Sequence, residues 1–257
     1  CKVVGEVKDF DPTVYVDRKE SRRLARFSQL AVGGVTQAIA DADLDVQAVG
    51  PEDVGVLLGC GAGGLPETEA ASRILVNRSG MRISPFYIPG MLVNMASANV
   101  SRIFGALGYT NTCVTACAAG TQAIGEAAEV IRRGFANVMI TGGAEAGICQ
   151  LGMGGFSTIH ALTTSYNDTP EKASRPFDAG RDGFAPAEGS GILILESEQH
   201  ALDRGANIIG EISGFGVTSD AFHLVQPHSE GLGAIRSMKL AMKDAGVAPA
   251  DVDYVNA

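Results

Sequence analysis

Cys117 stands in the stretch "NTCVTACAAGTQAIGEAAEVIRRG", Asn111 to Gly134, where β-prone Thr and Val residues give way to an alanine-rich amphipathic segment. After the cysteine, Ala123, Ala127, Val130 and Ile131 fall on one helical stripe, and Gly134 supplies a stop. The spacing therefore predicts a strand-to-helix junction with the thiol at its corner. There, unpaired amides and the positive end of the helix dipole favour thiolate over thiol. The small residues Ala116, Ala118, Ala119 and Gly120 leave room for a substrate carbonyl and offer backbone N–H groups to an oxyanion. That is the chemistry of acyl transfer through a covalent thioester. A buried, inert thiol fits the same residues, and taken alone they leave both readings open.

Five cysteines, at 1, 60, 113, 117 and 149, are widely spaced and include no CxxC pair. They read as reduced thiols of a cytoplasmic protein, and no second Cys or His pair supports a metal site at Cys113 and Cys117. A net charge of −9 argues against a general nucleic-acid partner. One segment runs the other way: "DRKESRRLARF" carries Arg18, Lys19, Arg22, Arg23 and Arg26, with 18, 22 and 26 spaced one turn apart on a predicted helix. It is either a solvated face or a docking site for an acidic partner. No apolar run approaches the length of a membrane span.

These residues need a scaffold, and the pattern around them is that of an α/β layered fold. Strands are predicted at Val54–Leu58, Tyr109–Val114, Val138–Thr141 and Gly191–Leu195, and helices at Ser28–Ala42, Ala118–Arg133 and Gly231–Ala245. The 33 glycines cluster in "GCGAGG", "GGAEAG" and "GMGGF" between apolar runs, which implies tight turns and close backbone approach rather than a flexible linker.

Several motifs then act together. "VTACAAG" resembles the active-site cysteine motif of the β-ketoacyl-acyl carrier protein synthases, the condensing enzymes of fatty acid synthesis with a thiolase-like fold. "VKDFDP", "ISPFYIPGMLVNM", "GGAEA", "ASRPFDAGRDGF", "EGSGILILE" and "SDAFH" are similar to that family's motifs, in its order and near its spacing. The likeness covers essentially all 257 residues and is greater to elongating enzymes than to initiating ketoacyl synthases or biosynthetic thiolases.

The resemblance implies that Cys117 takes an acyl chain from the phosphopantetheine of acyl carrier protein, that a malonyl-carrier then loses carbon dioxide, and that its carbanion attacks the thioester. No cofactor is implied. Lys19, Arg22, Arg23 and Arg82 align with carrier-contacting basic residues, and His160 stands where such an arginine often lies; Met81 replaces a further basic residue. Ala62 aligns with a bulkier residue that gates the acyl pocket, so a more open pocket is implied. Tyr87 and Ile88 match residues lining the partner subunit's acyl tunnel, which implies a homodimer; ordinary packing is the alternative for them. His223 matches a loop histidine beside the pantetheine channel, with plain loop hydrogen bonding as its alternative, and Val225 replaces a hydroxyl residue there. Glu145 and the Arg175, Asp178, Arg181 and Asp182 cluster align with scaffold charge networks. His200 reads as solvated, and His228 has no match.

The fold implied is a layered α-β-α-β-α arrangement of two similar halves, 1–205 nearly complete and 206–257 only begun, with Ile208–Phe215 as the opening strand of the second. The family's first decarboxylation histidine follows a stretch like Val255 to Ala257, so the chain is expected to be cut at both ends, and to capture an acyl group without condensing it. Two rival readings are a cysteine hydrolase, which needs a histidine paired with the Cys117 sulfur, and a non-catalytic subunit like a polyketide chain-length factor, which typically lacks the cysteine.

Overall fold

The structure, a computed structural model, describes residues 1–256. Ala257, the last residue of the "VNA" stretch, lies outside the described residues. The chain divides into two compact units, Cys1–Ser197 and Glu198–Ala257.

The first unit is built on a four-stranded sheet in the order β2-β1-β3-β4, from β1 (Val54–Gly59), β2 (Thr110–Cys113), β3 (Val138–Glu145) and β4 (Gly189–Glu196). β1 is parallel to both β2 and β3, and β4 is antiparallel to β3. Its helices are α1 (Arg18–Ser21), α2 (Arg26–Asp41), α3 (Val46–Val49), α4 (Leu65–Asn77), α5 (Tyr87–Met91), α6 (Met95–Phe104), α7 (Ala119–Arg132) and α8 (Gln150–Thr158). The central strands are apolar on both faces, as a parallel sheet covered on both sides requires. Val54, Val56, Leu58, Val138 and Ile140 pack with Phe27, Val32 and Val35 of α2 and Val100 of α6. Leu57 and Met139 turn to the other face, against Ala123, Ala127 and Val130 of α7. The stripe predicted for α7 is thus its buried face, and the sheet lies between two helical layers.

Glycines let α7 sit directly on the sheet. A Cβ at Gly59 would lie 2.1 Å from the carbonyl carbon of Ala119, and one at Gly143 would lie 3.1 Å from the Gly120 Cα. Gly142, at φ +132, would meet the Gly191 carbonyl oxygen at 2.0 Å. β2 forms one edge of the sheet, and the Asn111 side-chain oxygen accepts from the Thr112 N–H at 2.8 Å.

Two expectations are corrected. Arg18, Lys19, Arg22, Arg23 and Arg26 do not share a helix. Asp17 caps a single turn by accepting from the Lys19 and Glu20 N–H groups, and the chain then passes through an extended Ala25 before α2 begins at Arg26. The break lies in the backbone: the Arg23 and Leu24 N–H groups close short turns back to the Glu20 and Ser21 oxygens at 2.9 and 3.3 Å, and the extended Ala25 that follows is itself buried in the core. Ile208–Phe215 forms no strand. Among the described residues, the second unit offers α9 (Glu198–Asp203) and α10 (Leu232–Ala245) but no strand to pair with, and a ladder exists only between partners. The segment packs through glycine instead: Cβ atoms at Gly214 and Gly216 would lie 2.4 Å from the Ala241 oxygen and 2.2 Å from the Ser237 oxygen of α10.

Candidate functional site

β2 ends at Cys113 and α7 begins at Ala119, and between them the backbone makes a sharp corner. Ala116 adopts φ +49, a left-handed conformation that costs an alanine about 1–2 kcal/mol. A 3-10 turn, Ala116–Ala118, follows and runs straight into α7. Its bonds go from the Ala118 N–H to the Thr115 oxygen at 3.0 Å and from the Ala119 N–H to the Ala116 oxygen. The Cys117 N–H therefore belongs to the opening turn, where helical donors have no intrahelical acceptor. The thiol is exposed. A strained strand-to-helix corner that projects one side chain above a sheet is the geometry of a nucleophile elbow.

The other thiols differ in kind. Cys60 is buried, and burial, with the charge of Glu145 adding to it, pushes its thiol up to about 12. Burial also raises Cys113, followed by the charge of Glu126. Cys149 caps α8, its sulfur accepting from the Gly152 N–H at 3.4 Å. None of these combines exposure with an elbow.

The glycine loop after β1 lies against the elbow. Gly61 faces Ala116 so closely that a Cβ there would lie 3.3 Å from the Ala116 oxygen and 3.4 Å from its Cα. Ala62, next along, is exposed. Glu145, at the end of β3, accepts from the Gly61 and Ala62 N–H groups at 2.7 and 2.8 Å. The structure thus brings Cys117 and Ala62 onto two turns in backbone contact, with an acidic residue beneath the second.

Arg22 and Arg23 line a cavity of about 170 Å³ together with Glu67, Ile74, Phe86 and Tyr87. The Arg23 guanidinium lies 5.4 Å from the Phe86 ring centre and 4.0 Å from Glu20, which also pairs with Arg102. Burial pushes the Glu67 carboxyl up, and its Oε2 is buried without a hydrogen-bond partner. Lys19 and Arg22 are exposed. Arg26 stands apart: it pairs with Glu188 at 2.9 Å, donates to the Val7 oxygen at 2.6 Å and stacks on Phe10. Its role is to join α2 to the loop before β4, which removes it from the basic surface.

Arg82 ends the exposed 3-10 turn Gly80–Arg82, next to Met81. Tyr87 and Ile88 open α5, with Tyr87 half-buried in the cavity wall and Ile88 exposed. His160 follows α8 in a left-handed conformation and does not line that cavity. In the second unit His223 turns Nδ1 inward, accepting from the Val225 and Gln226 N–H groups at 3.1 and 3.0 Å. His228 accepts from the Glu230 N–H at 3.2 Å and packs on Phe222. The Asp182 carboxylate accepts from the Thr163 hydroxyl and from the Thr164 and Ser165 N–H groups, and these bonds hold it well below the usual carboxylate range. Arg175 stacks on Tyr166 and contacts Asp178 at 3.5 Å, so this cluster braces a loop. The left-handed Ala116 and the two amides gathered by Glu145 had no signal in residue type or spacing.

A nucleophile elbow, a helix seated on glycines and a sheet covered on both faces define a class of α/β protein that can present a cysteine for attack, and the comparisons supply the family. Residues 2–201 match the beta-ketoacyl synthase N-terminal domain and residues 209–257 its C-terminal domain, so the chain belongs to the beta-ketoacyl synthase family. Its fold is thiolase-like: a beta-ketoacyl synthase from Burkholderia phymatum STM815 superposes with a TM-score of 0.90 at 34% identity, over 99% of this chain and 62% of that one.

Among named relatives, the chain is 48% identical over 257 residues to 3-oxoacyl-[acyl-carrier-protein] synthase 2 of Synechocystis sp., covering 100% of this chain and 62% of the relative. It is 46% identical over 255 residues to the Staphylococcus aureus enzyme of the same name, covering 99% and 63%. A type II PKS acyl-carrier protein in complex with its ketosynthase, bound to the hexaketide, contains a chain that matches at a TM-score of 0.83 and 30% identity, over 98% of this chain and 60% of that one. The chain therefore spans less than two thirds of the length of these relatives. Among the described residues no helix is long and apolar enough to cross a membrane.

Proposed function

We propose that this chain carries the acyl-transfer half of a 3-oxoacyl-[acyl-carrier-protein] synthase reaction, with Cys117 as nucleophile. The Cys117 thiolate attacks the carbonyl carbon of an acyl thioester, the oxyanion is held by amides of the corner including its own N–H, and the carrier's thiolate leaves as the carbonyl re-forms on the cysteine sulfur. In the complete reaction a malonyl thioester loses carbon dioxide, its carbanion attacks the acyl carbon, and the Cys117 sulfur is the leaving group. The observation that carries this reading is the exposed thiol on a strained corner at the start of α7.

Lys19, Arg22, Arg23 and Arg82, with His160 at a separate position, are read as contacts for an acidic acyl carrier protein. Ala62 is read as lining the acyl pocket, Tyr87 and Ile88 as facing a second copy of the chain in a homodimer, and His223 as bordering the pantetheine path while it ties its own loop. The division into a first half, 1–205, and the start of a second, 206–257, belongs to the same reading, as does a cytoplasmic setting. The 46–48% identity to proteins named 3-oxoacyl-[acyl-carrier-protein] synthase 2, against 30% to the type II PKS ketosynthase, favours fatty acid elongation over polyketide synthesis.

The test is incubation with an acyl-carrier thioester, followed by intact-mass measurement and peptide mapping, alongside competitive alkylation at pH 8. One acyl adduct on Cys117 is expected, with Cys60 unlabelled because its thiol does not ionise until far higher pH. An adduct on Cys60 or Cys149, or acylation that survives Cys117→Ala, would overturn the assignment.

A further inference from the structure

Glu145 bridges three groups of the loop after β1. One carboxylate oxygen accepts from the Gly61 and Ala62 N–H groups at 2.7 and 2.8 Å, and the other faces the Cys60 thiol at 3.6 Å. These groups lie on the chain segment that touches the elbow, since Gly61 abuts the Ala116 backbone. On its far side the same loop is wedged in place: a Cβ at Gly63 would lie 3.0 Å from the Met91 oxygen, and the Gly64 N–H donates to that oxygen at 3.3 Å. On the elbow side the Cys60 N–H donates to the Cys113 oxygen at 3.1 Å, and beyond it Glu145 holds the Gly61 and Ala62 amides. Cys60 suits the arrangement, because its thiol stays protonated beside the carboxylate and donates toward it.

We propose that Glu145 is a positioning residue for acyl transfer, holding the Gly61–Ala62 turn against Ala116 so that the Cys117 sulfur and the Ala62 side chain keep one fixed relation. The inference rests on the reading of Cys117 as nucleophile and Ala62 as pocket wall. Glu145 touches no reacting atom; it acts through two amides. Geometry matters more than charge here. A glutamine keeps an oxygen of the same reach for both amides, whereas an aspartate keeps the charge and draws it back by one methylene.

The experiment measures the rate of Cys117 labelling by iodoacetamide and by an N-dodecyl iodoacetamide in the wild-type chain, Glu145→Gln, Glu145→Asp and Glu145→Ala. Thr141→Val is the control for general loosening, since it removes a buried hydrogen bond to the Leu57 oxygen in the same sheet, away from the loop. The expected result is a fall of at least roughly tenfold in the long-to-short rate ratio for the Asp and Ala variants, the loss that goes with even one of the two hydrogen bonds to the carboxylate. The Gln variant should recover most of the ratio and Thr141→Val should keep it. A ratio that follows charge, with Asp retained and Gln lost, overturns the proposal, as does an unchanged ratio in Asp and Ala or an equal fall in Thr141→Val. If Glu145→Ala does not fold, the Gln and Asp comparison decides alone. Wild-type labelling away from Cys117 overturns the functional reading and this inference with it; selective Cys117 labelling with an unmoved ratio overturns this inference only.

Discussion

The placement of Cys117 depends on α7 resting directly on the sheet, and Gly59→Ala tests that dependence. A Cβ at Gly59 would stand 2.1 Å from the Ala119 carbonyl carbon, 2.2 Å from its oxygen and 2.4 Å from the Gly120 nitrogen. Ordinary contact begins near 3.4 Å, so the start of α7 must retreat by about 1.3 Å. All three atoms are backbone, and no flexible side chain can yield in their place. Overpacking of this kind costs about 2 kcal/mol, equivalent to a Tm fall of about 4–8 °C in a domain of this size. Cys117 lies two residues before Ala119 and moves with it. A displacement of about 1 Å at reacting atoms slows a positioned reaction on the order of 100-fold. The assay pairs thermal unfolding with the rate of Cys117 acylation by a small acyl thioester. Gly189→Ala is the control, because a Cβ at Gly189 meets nothing within 4 Å. Wild-type acylation in Gly59→Ala, or the same loss in Gly189→Ala, would refute the argument that the glycine contact sets the position of the thiol.

Reversing Arg22 and Arg23 to Glu should slow association with acyl carrier protein and flatten its salt dependence, as stopped-flow binding at two ionic strengths would show, with a modest fall in Tm from loss of the Arg23 contacts to Phe86 and Glu20. Arg26→Ala should act in the opposite way, lowering stability by about 2 kcal/mol through loss of its Glu188 and Val7 bonds while leaving the salt dependence of binding alone. Ala62→Phe should block loading of long acyl chains and spare short ones, measured by intact mass; equal loss for both would remove Ala62 from the pocket. The depressed Asp182 carboxyl supports its loop fully above the ordinary value of 3.8, and that support is lost only as pH falls through the lower folded value. Protection of the Thr164 and Ser165 amides from hydrogen exchange should therefore persist from pH 7 to 4, and Asp182→Asn should weaken it throughout.

Local pattern was a good guide wherever a segment's partners were its near neighbours in the sheet. Val54–Leu58 and Val138–Thr141 were legible because β-branched runs covered on both faces have no other soluble use, although β3 continues to Glu145 through two glycines that carry no strand preference. The α7 stripe was legible for the same reason. Pattern failed where conformation is imposed from outside. A strand at Ile208–Phe215 was expected from the family resemblance, but a ladder needs a partner. The basic stripe was read at helical spacing, yet the extended Ala25 separates the single turn of α1 from α2 between its members. Ala116 is small like its neighbours, and nothing in its type announces a left-handed backbone. The chemistry of Cys117 stayed undecided between nucleophile and inert thiol until the motifs around it were read together, because exposure of the sulfur is a property of the folded corner. The Glu145 bridge joins residues more than eighty positions apart, a separation at which spacing carries no information.

The edge strand has a bearing on how the protein behaves when concentrated. Tyr109–Val114 contains no charge and no proline, the usual guards of an open edge, and such a strand is a template on which further chains can stack. Asn111 folds its own side chain back onto the Thr112 N–H and so occupies a donor that an incoming strand would seek. One asparagine therefore serves as a plug. Exchanging it for valine would free that donor and add apolar surface to the open edge, turning a residue that takes no part in bond-making into a determinant of whether stored protein stays dispersed.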